Sequence, residues 1–183
     1  MPYCHPRTHS ALQYELRTAT PQDAESVSEL LRYSYPRLMA PAYGEDELAA
    51  ALEPMTRANP QLLSCGTYYV AELPTGMLVG CGGWTPERPG TTATEPGVGH
   101  IRHFAVHPDW TRRGIGRAIL ALCGRTARAA GVTVLECYSS LNAESFYRSS
   151  GFVRIRETRM ELRPQVVLRA VLMRRHLTGD TGR

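Results

Sequence analysis

Two arginines, Arg112 and Arg113, stand directly before the triplet Gly114, Ile115, Gly116, and Arg117 follows it, in the stretch HFAVHPDWTRRGIGRAIL of residues 103–120. An apolar run ends before this cluster and an apolar, helix-like pattern begins after it. A helix N-terminus leaves backbone N–H groups unpaired at the positive end of the helix dipole, and the two together bind anions. Glycines at 114 and 116 let a phosphate approach that backbone, and the arginines surround it with charge. The residue types therefore point to phosphate holding. Two familiar phosphate loops do not fit. The Walker loop needs a lysine, and all 21 basic residues of this chain are arginine. The dinucleotide fingerprint needs a third glycine where this chain has Ile119.

A second cluster lies downstream in LNAESFYRSSGF, residues 141–152, with Asn142, Phe146, Tyr147, Gly151 and Phe152. Taken alone, Tyr147 beside Phe146 reads as a core aromatic. Taken alone, the glycine turn reads equally well as a strand-to-helix turn with solvated arginines. The two together, in this order and spacing, resemble the GNAT superfamily of N-acetyltransferases. TRRGIG (111–116) matches that family's Q/R-x-x-G-x-G/A signature except at the first position, where Thr111 replaces Gln or Arg. LNAESFYRSSGF supplies Asn142, Phe146, Tyr147, Gly151 and Phe152 in the order of the family's second element, which has N-x-x-A/S-x-x-F-Y-x-x-x-G-F character.

The resemblance implies acetyl-CoA as co-substrate and acetyl transfer to the amine of a small molecule or peptide by direct attack. It implies that the pantetheine arm inserts between strands 100–107 and 132–138, pairing with backbone groups of Phe104, Ala105 and Val106. Residues Arg112, Arg113, Gly114, Ile115, Gly116 and Arg117 then hold the pyrophosphate, and Asn142 faces the cofactor arm. Tyr147 matches the tyrosine that protonates the departing thiolate, a role suited to a phenol that stays protonated at pH 7. His100 stands where many members put a Glu or a His as base, and imidazole titrates in a useful range. Glu72, Glu136 or a chain of waters are the alternatives, and a solvated, inert His100 explains the same residue. Acceptor pockets in the family come from the first two helices and the last two strands. Here these carry Tyr33, Tyr35 and Tyr43, which suit either an aromatic pocket or plain packing. Glu45, Asp46 and Glu47 suit the first turn of a helix, and His107 before Pro108 suits a turn.

The elements that must position these groups follow from periodicity. Residues 14–20 alternate as a strand. Thr20 and Pro21 open a helix, and a second helix runs from Tyr43 to a stop near Pro54. Segments 66–73 and 76–85 read as a hairpin about Pro-Thr-Gly, followed by an aperiodic loop and a strand at 100–107. Alternation puts His100, Arg102 and Phe104 on one face and His103 and His107 on the other, unless a bulge shifts the parity. A helix ends at Gly131, a buried strand follows at 132–138, and a short helix capped by Asn142 ends at Gly151. Two strands close the chain about Arg163-Pro164. The expected fold is α/β: a central mixed sheet of about seven strands flanked by about four helices. It forms one domain over 11–178, with loose tails at 1–10 and 179–183.

Composition narrows the class. At 183 residues, 43% hydrophobic and 21% charged, the chain is of ordinary globular type, with no apolar run long enough for a membrane span. The polar first ten residues lack the apolar core of a secretory signal. Net charge is +4 and the pI about 8.9, but the arginines are scattered, so nucleic acid is not an expected partner. Five cysteines without a C-x-x-C pair indicate neither a disulfide framework nor a zinc site and suit the cytoplasm. The expected partners are acetyl-CoA and an amine acceptor, with a homodimer open. A coenzyme-binding sensor that has lost its chemistry is the alternative function.

Overall fold

In a computed structural model, residues 14–177 are described. Strand β1 (Glu15–Thr18) leads into helix α1 (Ala24–Met39), α2 (Glu45–Met55) and a short α3 (Pro60–Ser64). Strands β2 (Tyr68–Glu72), β3 (Leu78–Thr85) and β4 (Val98–Val106) follow, then α4 (Ile115–Ala129), β5 (Val134–Ser139), α5 (Glu144–Ser149), β6 (Val153–Arg163) and β7 (Val166–His176). The seven strands form one sheet in the order β1-β2-β3-β4-β5-β7-β6. Every neighbouring pair is antiparallel except β4 and β5.

Each face of the sheet is covered by helices. Helix α4 lays Ile115, Ile119, Cys123 and Ala127, a stripe at four-residue spacing, on one face, joined by Leu120. Each Ile or Leu so buried contributes about 1.5–3 kcal/mol. Tyr147 and Phe152 complete that core. On the other face, Val27, Leu30, Leu31 and Met39 of α1 and Leu48 of α2 pack over Tyr68, Val70, Cys81 and Ala105. A carboxylate anchors the first helix. Asp23 accepts two bonds from the Arg17 guanidinium at 2.7 and 2.8 Å and one from the Thr20 amide at 2.7 Å.

The expected sheet is present, and the described residues hold five α-helices against about four expected. Helix α3 spans only five residues, too short to show a period. Its signals are local: Pro60 opens it and the Asn59 side chain accepts from the Gln61 amide at 2.9 Å. Helix α1 runs through Pro36 to Met39, because neighbouring contacts outweigh the one lost backbone bond. Asn142 does not cap α5. It lies inside a 3-10 turn, Leu141–Ala143, and Ala143 occupies the cap position. Cys65 is exposed, whereas Cys81, Cys123 and Cys137 are buried free thiols. Cys4 and both expected tails lie outside the described residues. Among the described residues no helix is long and apolar enough to cross a membrane, and no group of side chains could hold a metal.

Candidate active site

The parallel pair β4–β5 is joined only at its start. Val98 pairs with Val134, Gly99 with Leu135 and His100 with Glu136, after which the strands part. The space between them opens into a cleft of about 1690 Å³, which reaches from the N-terminus of α4 past α5 to the ends of α1, α2 and β6.

A bulge helps to part the strands. Ala105 pairs with Cys81 and Arg102 with Gly83, so His103 and Phe104 together oppose Gly82 alone. His103 adopts φ 43°, and any side chain at Gly82 would run into the Phe104 ring. The adjacent glycines 82 and 83 were the available signal, since glycine inside a strand marks a bulge or close approach. The bulge overturns the simple alternation. His100 and Arg102 share a face, but Phe104 crosses to the α4 side, where its ring lies 6.2 Å from Tyr147 and 6.3 Å from Phe146.

Backbone direction follows from the register. The His107 amide donates to the Val79 carbonyl at 3.0 Å, which makes Val106 and Gly80 a non-hydrogen-bonded pair and Ala105 and Cys81 a bonded one. Ala105 therefore spends its N–H and C=O on β3. Phe104 and Val106 turn theirs toward the gap. Side chains from α1 brace these carbonyls: Ser34 donates to Val106 at 3.0 Å and Tyr35 to Phe104 at 3.3 Å. Tyr68 donates to the His103 carbonyl at 2.9 Å.

At the mouth of the cleft, Gly114 caps α4 with φ 82°, a conformation that favours glycine, and a Cβ there would meet open space. Gly116 is different. Its missing Cβ would lie 3.3 Å from both the Phe146 ring and Val106, so this glycine lets α4 close on α5 and β4. The N–H groups of Ile115, Gly116 and Arg117 are the helix orphans. Arg112 and Arg117 line the cleft, as does Asn142. Arg113 instead lays its guanidinium over the Trp110 ring at 4.8 Å. Thr111 donates to the Pro108 carbonyl at 2.9 Å, closing the turn.

Tyr147 lines the cleft with its ring held edge-on between Phe146 and Phe152, at 5.0 and 5.4 Å. Burial raises its phenol well above the ordinary value, so it remains a proton donor. His100 is not brought to the cleft. It is 2% exposed, beneath the loop before β4, with Nδ1 3.8 Å from Glu136 and without a hydrogen bond. Burial lowers its pKa against the pull of Glu136. Glu136 itself is held by Arg174 at 2.6 Å, and Glu72 by Arg17 at the far edge of the sheet. The imidazole that does line the cleft is His103, at the bulge; burial and then Arg102 hold its pKa down to about 4.

The three tyrosines separate. Tyr35 reaches the cleft. Tyr43 is a brace, donating to the Arg169 carbonyl and accepting from the Leu141 amide, both at 2.8 Å. Tyr33 stacks on His107 at 4.5 Å, and that imidazole accepts from the Asp109 amide, fixing the turn. Glu45, Asp46 and Glu47 form the first turn of α2, and Glu47 grips Arg169 of β7.

A sheet parted at one parallel pair, with a helix N-terminus at the opening, defines a fold that other chains share. The model of an acetyltransferase (GNAT) domain matches residues 64–154. Among solved structures, a GCN5-related N-acetyltransferase from Rhodopseudomonas palustris is 23% identical, covering 92% of this chain and 99% of that one, with a TM-score of 0.74. The PaiA N-acetyltransferase from Thermoplasma acidophilum, solved in complex with coenzyme A, is 16% identical with a TM-score of 0.66, covering 90% and 99%. A GNAT-family acetyltransferase from Desulfovibrio desulfuricans is 21% identical with a TM-score of 0.61, covering 91% and 100%. No curated protein matches the chain. The protein belongs to the GNAT superfamily of acetyltransferases.

Proposed function

We propose that the protein transfers the acetyl group of acetyl-CoA to the amine of a small molecule. The observation that carries this reading is the gap beyond His100 and Glu136, lined by backbone of Phe104 and Val106 that β3 does not use and ending at the α4 N-terminus. An extended amide-bearing arm completes the sheet there as an added strand would, by main-chain bonds that ignore side-chain identity. The pyrophosphate lies on the N–H groups of residues 115–117, with Arg112 and Arg117 beside it. The amine nitrogen bonds to the thioester carbonyl carbon, the C–S bond breaks, and the Tyr147 hydroxyl gives its proton to the leaving sulfur. The proton that the nitrogen sheds returns to the phenolate through water, so the charges balance.

Thermal melting with acetyl-CoA and thiol release with an amine panel test this. At about 100 times its dissociation constant a ligand specific for the folded form adds roughly 2.7 kcal/mol, or about 5–10 °C for a chain of this size. Melting shift together with thiol release supports acetyl transfer. A shift without release from any amine is the signature of a coenzyme-binding sensor.

A further inference from the structure

We infer that the acetyl acceptor is a free amino acid whose carboxylate is received by Arg102. This rests on the acetyl-transfer reading and names its second substrate. Arg102 leaves β4 just before the bulge and lines the cleft, on the face of the sheet covered by α1 and α3. It is half-buried, and its Nη1 donates to the Thr85 hydroxyl at 2.7 Å and to the Glu87 carbonyl at 3.5 Å. Both are neutral acceptors. They aim the guanidinium without neutralising it, and no carboxylate of the described residues forms an ion pair with it. A buried cation held in place by neutral groups is a prepared site for an anion, because guanidinium and carboxylate match in two parallel bonds. Burial also pulls its pKa below the ordinary arginine value, against the opposing pull of the Glu87 carboxylate, which makes no ion pair with it.

The surroundings repeat the sign. Arg159 and Arg163 line the same cleft, with Arg57. Arg57 and Arg163 share one carboxylate, Glu53, at 3.5 and 2.8 Å. Glu161 is the one acidic residue lining the cleft among the described residues. Such a wall repels a lone ammonium or a polyamine. An amino acid carries its own counter-charge beside the amine, so its carboxylate meets Arg102 while its nitrogen turns toward the thioester. The remaining wall, with Tyr35, Met39 and Met55, suits an apolar side chain.

The test compares matched acceptors that differ by a carboxyl group: L-phenylalanine with phenethylamine, L-leucine with isopentylamine, L-methionine with its decarboxylated amine. kcat/KM for thiol release from acetyl-CoA is measured on the wild type, on Arg102→Gln and on Arg102→Lys. The wild type is expected to favour the carboxylate member by about 30-fold or more. Arg102→Gln should erase that preference while leaving the plain amine within about twofold, and Arg102→Lys should restore part of it. Faster acetylation of the plain amines by the wild type overturns the inference yet leaves acetyl transfer standing, and needs no variant to fold. If nothing is acetylated, the transfer reading falls, and calorimetric titration of the same amino acids into the protein–coenzyme A complex still decides the site. Binding that Arg102→Gln weakens supports the inference; no binding, or binding indifferent to Arg102, overturns it.

Discussion

At the scale of single residues, the described residues bring to the cleft the phenol of Tyr147 and one weakly basic carboxylate, Glu161, but no imidazole that titrates near neutral pH. Tyr147 keeps its proton to high pH because burial raises its phenol. His103 lines the cleft at about 4, and His100 is sealed beneath its loop. The amine must then lose its proton to water, and only its neutral fraction attacks. kcat/KM is expected to climb about tenfold per pH unit up to the amine's own pKa, with no inflection near the imidazole range. A profile levelling between pH 6 and 7, and altered in His103→Ala or His100→Ala, shows an imidazole base and sinks this reading. In the proposed mechanism Tyr147→Phe removes the proton for the leaving sulfur and spares the residues assigned to the coenzyme. Its kcat should fall by about a hundredfold or more while the acetyl-CoA melting shift persists. Unchanged kcat in that variant assigns Tyr147 to packing.

At the scale of elements, the junction of β1 and α1 hangs on Asp23. The Arg17 hydrogen bonds are the largest reason its carboxyl is lowered to about 2, with help from Thr20. A carboxyl that binds its proton less tightly folded than unfolded stabilises the fold above the unfolded value, about 3.9, and stops doing so as pH falls toward 2. Arg17 is a third exposed, so solvent screening reduces the contribution to about 1–2 kcal/mol. Asp23→Asn should lower the melting temperature at pH 7 and converge with the wild type near pH 2. A constant difference across that window refutes the ion pair as cause. Gly116 belongs to the same scale. A side chain there collides with Phe146 and Val106, so Gly116→Val should push α5 from α4 and cost the protein its acetyl-CoA shift; an intact shift means the wall gives way freely.

At the scale of the whole molecule, the proposed function rests on a sheet that is incomplete between β4 and β5. β4 and β5 hold together for three residues and then separate, with two packed cores keeping the halves in place. The amides of Phe104 and Val106 face that gap. Hydrogen exchange at these two amides is expected to slow when acetyl-CoA is added, while Ala105, bonded to β3, changes little. Equal protection of all three, or of none, contradicts an added strand in the gap.

The sequence by itself determined the order of elements, the glycine turn at the mouth of a helix and the aromatic pair of the short motif, from which the proposed anion site and proton donor are drawn. Each of these depends on residues close along the chain: glycines and arginines at a helix mouth, an aromatic pair inside a short motif, apolar spacing within an element. It left α3 unseen, because five residues hold no period, and it assigned Asn142 to a cap that the 3-10 turn takes away. Only the tertiary structure decided which histidine meets the cleft, which backbone groups of β4 are left unused by β3, and that Arg102 stands there without an ion-pair partner among the described residues. A bulge shifts facing by one residue, pairing across strands decides which N–H groups are spent, and burial depends on a loop and helices distant in sequence. Those are long-range consequences of packing, and no local spacing in the chain carries them.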